Sequence, residues 1–221
     1  ILEEKYSYPV DVEYACNFDA DGDYRVNLLQ CRPLQTRGVG AAGVMPNVRA
    51  FYFRTVGNFM GGNMCLPVRY AVMVQVEPYL DLPEQRKYQV ARKLGELNNL
   101  LRDEGTILLG PGRWGTTVPS LGVPVHFMEI NCFDCIAELA YSSHGLRPEL
   151  SYGSYFFQDL VEAGTFYVAL YPGEDGCVFE DALFAGCENV YSMLMQADAD
   201  DAMADVIRVY DLGQDQAILY S

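Results

Sequence analysis

Hydrophobic and polar residues alternate in two segments near the amino terminus. Residues 8–16 carry an apolar side chain at every second position, and residues 24–31 form a second extended run. Between them, residues 17–23 are rich in Asn, Asp and Gly. A period of two is typical of strands, and the intervening residue types favour a reversal of the chain. The pattern therefore predicts an antiparallel hairpin.

Longer apolar patterns follow in the middle of the chain. Residues 69–77 predict a buried strand, and a helical period begins at residues 82–84, where Asp81 can cap a helix that has Pro83 in its first turn. The apolar positions of this helix are Val90, Leu94, Leu97 and Leu101. Residues 106–109 predict a returning strand. A strand, a helix and a strand suit a parallel crossover unit, and an antiparallel return remains open.

The remaining patterns are shorter and complete a mixed α/β fold, with both α and β elements around a mixed sheet. We expect strands at 48–56, 123–130, 135–141, 165–171, 206–211 and 216–221, and helices at 154–163 and within 180–197. Residues 37–47 contain three glycines and one proline, a composition that is typical of a linker. They divide the chain into a first domain ending near residue 36 and a mixed α/β extension domain at 48–221, whose function the sequence does not identify.

Composition narrows the classes of function. The net charge is −15, from 30 acidic and 15 basic residues, which disfavours nucleic acid and membrane surfaces as partners. No apolar run is long enough for a membrane span, and no signal peptide is visible. Seven cysteines, an odd number, are typical of free thiols in a reducing compartment. We therefore expect a cytoplasmic protein, and the start at Ile1 suggests a missing upstream segment.

The predicted hairpin carries the most informative polar residues. Alternation places Asp11 and Glu13 on one face of the first strand, and Gln30 and Arg32 on one face of the second. Carboxylate and amide oxygens suit Mg²⁺, and a guanidinium suits a phosphate. The same four residues are also consistent with a charged, solvent-facing side of a hairpin.

Two motifs in this hairpin resemble a known family. They are Pro9-Val10-Asp11-Val12-Glu13-Tyr14 and Leu28-Leu29-Gln30-Cys31-Arg32-Pro33-Leu34. Together they resemble the carboxyl-terminal strands of the ATP-grasp nucleotide-binding domain of phosphoenolpyruvate synthase and pyruvate phosphate dikinase. Tyr14 stands where the family has Trp or Phe, and Cys31 stands where a small residue is common.

The resemblance implies a role for each polar residue of the hairpin. Glu13 matches a metal-ligand carboxylate near the ATP phosphates, and Gln30 and Asp11 match neighbouring positions that line the nucleotide and the metal. Arg32 matches the arginine that closes the motif. ATP and Mg²⁺ are therefore the implied cofactors, with Glu13 and Gln30 at the metal.

The resemblance also implies an enzyme larger than this chain. In such phosphotransferases, ATP phosphorylates a histidine on a mobile domain, which passes the phosphoryl group to pyruvate. The Gly-rich phosphate loop, the phosphohistidine motif and the pyruvate-binding barrel are not found in this sequence. We therefore expect an upstream ATP-grasp half and a phosphohistidine domain as partners, with this chain inactive alone. The alternative is a non-catalytic ligand-binding, regulatory or assembly module.

A second candidate segment, 109–117, follows the predicted strand at 106–109. Its glycines can turn backbone N–H groups toward an anion, Arg113 can supply charge and Trp114 a stacking face. A rigid turn with Trp114 packed on the core is the alternative. With residues 153–158, this segment resembles an extension of unknown function in some bacterial pyruvate-binding-domain proteins.

The remaining chemistry-bearing residues favour structural roles. His126 lies on an apolar stretch and His144 lies in a predicted loop. Cys132 and Cys135 form a single C-x-x-C pair, whereas a structural zinc site usually has a second pair. We expect reduced thiols at both positions and no zinc.

Overall fold

The chain divides into two units, Ile1–Thr36 and Arg37–Ser221. The computed structural model describes residues 5, 10–18, 21–33, 50, 52–56, 59–61, 65–141, 150–151, 155–197, 201–213 and 217–220. The predicted linker at 37–47 and His144 lie outside these ranges. Among the helices within them, none is long and apolar enough to cross a membrane.

The first unit contains the hairpin that the alternation predicts. Its strands are β1 (Val10–Phe18) and β2 (Tyr24–Pro33), and they pair antiparallel. Gly22, with φ of +86°, lies in the turn between them. Both strands run two residues beyond their predicted ends.

The second unit contains short and long strands around one principal sheet. The strands are β3 (Phe53–Arg54), β4 (Phe59–Met60), β5 (Cys65–Val68), β6 (Tyr70–Val74), β7 (Thr106–Pro111), β8 (Arg113–Trp114), β9 (Gly122–Val123), β10 (Cys135–Leu139), β11 (Phe166–Leu170), β12 (Val178–Phe179), β13 (Glu188–Asn189), β14 (Ile207–Asp211) and β15 (Ala217–Tyr220). The helices are α1 (Val76–Leu80), α2 (Glu84–Leu100), α3 (Tyr155–Ala163), α4 (Asp181–Ala185) and α5 (Tyr191–Met195), with a 3-10 turn at Phe127–Glu129.

The principal sheet is mixed and has seven strands in the order β13-β14-β6-β7-β10-β11-β4. Strands β6, β7, β10 and β11 are mutually parallel, whereas β14 and β4 join their two sides antiparallel. The mixed α/β prediction is therefore confirmed. The β6–α2–β7 segment is a parallel crossover unit, which resolves the alternative that the sequence left open.

Each face of this sheet is covered by apolar side chains. On one face, α2 packs Val90, Leu94 and Leu97, all with no exposed area, against the strands, and α3 adds Leu160. Burial of one such side chain contributes about 1.5–3 kcal/mol. The other face packs against Phe184 of α4 and against β5 and β15. Burial of both faces explains why the parallel strands are continuous apolar runs rather than alternating ones.

Three strand predictions are wrong in their extent. Among the described residues of 48–56, only β3 (Phe53–Arg54) is a strand. The strand expected at 69–77 ends at Val74, because α1 begins at Val76 and accommodates Pro78 in its first turn. The stretch 123–130 is extended only as far as Val123, where β9 pairs with β8 in a separate two-stranded sheet. Pro124 has no N–H for a ladder, and the Glu129 carboxylate accepts the His126 backbone N–H at 2.7 Å, which caps the 3-10 turn.

Two helix predictions also need correction. Asp81 closes α1 rather than capping α2, whose amino-terminal flanking residue is Pro83. The helix expected within 180–197 is interrupted between α4 and α5 by β13. The Asn189 side chain holds this interruption, because its Oδ1 accepts the backbone N–H groups of Tyr191 at 3.2 Å and Val209 at 3.0 Å.

Candidate functional site

The hairpin register brings the four predicted site residues into two directly opposed pairs. Asp11 lies opposite Arg32, and Glu13 lies opposite Gln30. Directly opposed residues in an antiparallel pair lie on the same face, and residues two apart along a strand share that face. One face of the hairpin therefore carries all four positions, as the alternation predicts.

A β-bulge next to Glu13 keeps the polar positions on one face of the hairpin and the apolar positions on the other. Between Glu13 and Tyr14 the register shifts, so that Tyr14 pairs with Leu28 and leaves Leu29 as the extra residue. Strict alternation along β2 would have placed Leu28 on the same face as Gln30. Because of the shift, the apolar positions of the two strands stay together and the polar positions stay opposite them.

The polar face can contribute to a site but does not enclose one. The Glu13 side chain is half-buried and Gln30 is exposed. A carboxylate beside an amide oxygen offers two hard ligands, whereas Mg²⁺ prefers an octahedral shell completed by water, phosphate or further protein oxygens. The arrangement fits one wall of a metal-phosphate site.

The segment after β7 uses its backbone donors within the protein. Gly112 N donates to the Leu139 carbonyl at 2.9 Å, Arg113 N to Leu121 at 3.0 Å, and Gly115 N to Val123 at 3.0 Å. An anion-binding nest needs such N–H groups to point at the ligand. An anion at this segment would therefore be bound chiefly through the partly exposed Arg113 side chain.

Trp114 is a core residue rather than a stacking platform. Only 1% of its surface is exposed, and its indole Nε1 donates to the Ala137 carbonyl at 3.1 Å. The ring covers Gly110, where an added Cβ would lie 2.5 Å from the indole. The structure thus shows the packed turn that the sequence left as an alternative.

Glu138, which the sequence reasoning passed over, lies at the centre of a buried polar cluster in the second unit. It has no exposed area, and its carboxylate accepts hydrogen bonds from three segments. The donors are Trp114 N to Oε1 at 3.0 Å, Ser151 N to Oε2 at 2.7 Å, Tyr167 Oη to Oε2 at 2.8 Å, and Ser151 Oγ to Oε1.

Opposing effects act on the pKa of Glu138. Burial raises it above the ordinary value, since the charged form is desolvated, whereas the hydrogen bonds from Ser151, Trp114 and Tyr167 act to lower it. A group without exposed area cannot meet a ligand in this conformation. Glu138 instead ties together the turn after β7, the segment before α3 and strand β11.

The remaining predicted residues that the structure describes, His126 and the cysteines, make no hydrogen bond to Glu138. His126 is exposed and precedes the 3-10 turn. All seven cysteines are free thiols, and burial raises the pKa of the Cys135 thiol. Among the residues that the structure describes, no group of three or more His, Cys, Asp or Glu residues could hold a metal ion.

A shallow depression of about 450 Å³ lies at the opposite, amino-terminal end of the parallel strands. Three of its four charged side chains have partners: Arg69 binds Glu104 at 3.0 Å, and Asp134 accepts the Thr106 backbone N–H at 2.9 Å. This pairing gives the depression a structural explanation. The hairpin face remains the stronger candidate site.

Comparison with known proteins identifies no relative of this chain. No family model, no curated protein and no solved structure matches the chain.

Proposed function

We propose that residues 1–36 are the closing strands of an ATP-grasp nucleotide-binding domain. On this proposal the chain is a fragment of a phosphotransferase of the phosphoenolpyruvate-synthase type that acts on pyruvate. Support comes from the two hairpin motifs and from one structural observation. The register sets Glu13 opposite Gln30 and Asp11 opposite Arg32, so that the four positions lie on one face of the hairpin.

The proposed roles follow from the chemistry of these groups. Glu13 and Gln30 would supply oxygen ligands to Mg²⁺, Arg32 would neutralise phosphate charge, and Asp11 would line the same nucleotide site. Phosphoryl transfer depends on positioning and charge stabilisation, which require groups from several directions. A single hairpin face offers one direction, so the isolated chain is expected to be inactive.

The proposal predicts a large effect of Glu13 in the protein expressed from the complete gene. Glu13→Gln should lower kcat/KM for ATP-dependent phosphorylation of pyruvate at least about 100-fold, since loss of a metal ligand should match or exceed the loss of an outer-shell partner. The assay is the Mg²⁺-dependent consumption of ATP with pyruvate.

Asp21→Asn is the matched control for this experiment, because it also converts a carboxylate to an amide within the hairpin, at an exposed position of the turn. It should leave the rate unchanged. Equal rates for the wild-type protein and Glu13→Gln would contradict the metal role. Submicromolar binding of Mg·ATP to the isolated chain, lost in Glu13→Gln, would contradict the need for further segments.

A second function is favoured by the Glu138 cluster. An internally hydrogen-bonded structure next to Arg113 suits a non-catalytic binding or assembly module at residues 48–221. In that case the Arg113 side chain would be the recognition element for an anionic ligand.

Thermal unfolding with phosphate tests the Arg113 site. The neighbouring N–H groups are already bonded, which favours a packed turn and the first proposal. On that proposal phosphate should raise Tm equally in wild-type and Arg113→Ala chains, through non-specific salt exclusion. Arg92→Ala, which removes an exposed arginine of α2, is the matched control. A specific site would instead stabilise wild type and Arg92→Ala by about 2.7 kcal/mol at a hundredfold excess over Kd, and Arg113→Ala by less.

A further inference from the structure

The face of the hairpin opposite the polar site residues is a continuous apolar surface. By register, Val12, Tyr14 and Phe18 of β1 share this face with Leu28, Val26 and Tyr24 of β2. The rings of Phe18 and Tyr24 lie across from each other with centroids 6.3 Å apart. We call these six residues the apolar face.

The apolar face is exposed to an extent unusual for such side chains. The exposed fractions range from 37% at Val12 to 73% at Phe18. Since a whole aromatic side chain presents ~150–250 Å², the six together expose on the order of 600 Å². That is at the upper limit of the largest apolar patch on a typical monomer, ~300–600 Å², and approaches the ~800 Å² that each partner buries in a standard interface.

The two strands of the hairpin cannot bury the apolar face by themselves. A two-stranded ribbon is only marginally stable in water, and it becomes stable when a second layer buries its apolar side. The six residues carry no charge, and the charged residues of the paired strands lie on the other face by register. Two copies can therefore pack face to face without desolvating an ion.

We propose that the apolar face is a self-association surface at which a second copy of this chain packs. Two ribbons related by a twofold axis would form a two-layer sandwich, the arrangement in which sheet faces pack about 10 Å apart. The polar face with Glu13 and Gln30 points away from this contact. Self-association therefore does not depend on the proposed nucleotide site and can be tested separately from it.

Sedimentation equilibrium of the 221-residue chain, with two matched variants, tests the proposal. Leu28→Lys places a charge on the apolar face, whereas Asn27→Lys places the same charge one residue away on the polar face. The wild-type chain and Asn27→Lys should dimerise. Leu28→Lys should raise the dimer Kd at least about tenfold, because the symmetric contact would bury the new charge twice. Added salt should strengthen the wild-type dimer by screening the repulsion between chains of net charge −15.

Thiol labelling of the wild-type chain is a second measurement of self-association, and it does not depend on how the variants fold. Cys16 lies opposite Val26 among the apolar positions, and Cys65 belongs to β5 of the second unit; both are exposed. The labelling rate of Cys16 should fall as the protein concentration rises, while that of Cys65 stays constant. A chain that remains monomeric, a Cys16 rate independent of concentration, or equal Kd values for the two variants would each overturn the proposal.

Discussion

Glu138→Gln is expected to lower the free energy of unfolding of the second unit by about 3 kcal/mol. The change replaces a buried carboxylate, which has two acceptor oxygens, with an amide that has one acceptor oxygen and one NH₂ donor. The carboxylate accepts two backbone N–H groups, from Trp114 and Ser151, which cannot reverse their direction. A glutamine NH₂ would meet one of these donors directly. That donor would be left buried without an acceptor.

Urea unfolding followed by fluorescence measures this effect at the cluster itself, because Trp114 is the chain's one tryptophan and is buried there. The matched control is Glu104→Gln, the same change at an exposed carboxylate that pairs with Arg69. Exposed ion pairs contribute about 0–1 kcal/mol, so the control should lose no more than that. Equal losses in the two variants would show that Glu138 does not hold the three segments together.

Gly112→Ala is expected to destabilise the second unit by about 3 kcal/mol, from two additive causes. Gly112 has a φ of +62°, a conformation that L side chains rarely adopt, and its Cβ would lie 2.3 Å from the Leu121 carbonyl oxygen. That oxygen accepts the Arg113 backbone N–H, so relief of the clash would break a hydrogen bond.

Gly173→Ala separates these two causes. Gly173 has a φ of +89°, but no atom lies within 4 Å of an added Cβ. This variant should therefore lose only the conformational part, about 1–2 kcal/mol. Thermal and urea unfolding of both variants give the comparison. A Gly112→Ala loss no larger than that of Gly173→Ala would show that the turn adapts to the methyl group.

The elements that the sequence predicts well are those in which one period continues over many residues. The core positions of α2 and the strand pairing of the hairpin belong to this class. Each residue of such a segment supports the same assignment of which face is buried. The short elements between 180 and 197 do not, because a single side chain, Asn189, decides where β13 interrupts the helical pattern. A local hydrogen bond of this kind leaves no periodic signal.

The polar positions show the same division. The pairing of Glu13 with Gln30 could be predicted because alternation fixes both faces, although the bulge that keeps Leu28 with the apolar residues could not. Glu138 left one available signal: it is a lone carboxylate inside the apolar run Cys135–Leu139. Buried charges are rare unless they are paired, so such an interruption is informative. Its donors come from distant segments, however, and only the fold identifies them.

The order of the four parallel strands bears on where the second unit can bind a small molecule. In doubly wound sheets, a ligand crevice opens where successive crossovers diverge to opposite faces at a topological switch point. Here β6, β7, β10 and β11 are neighbours in chain order, and the described segments that connect them contribute to the apolar layer on one face. The crossovers that join these four strands therefore do not diverge from one another. At the carboxyl ends of these strands, specificity for a ligand would have to evolve in the sequence and length of the loops that follow them. The sheet itself would stay constant.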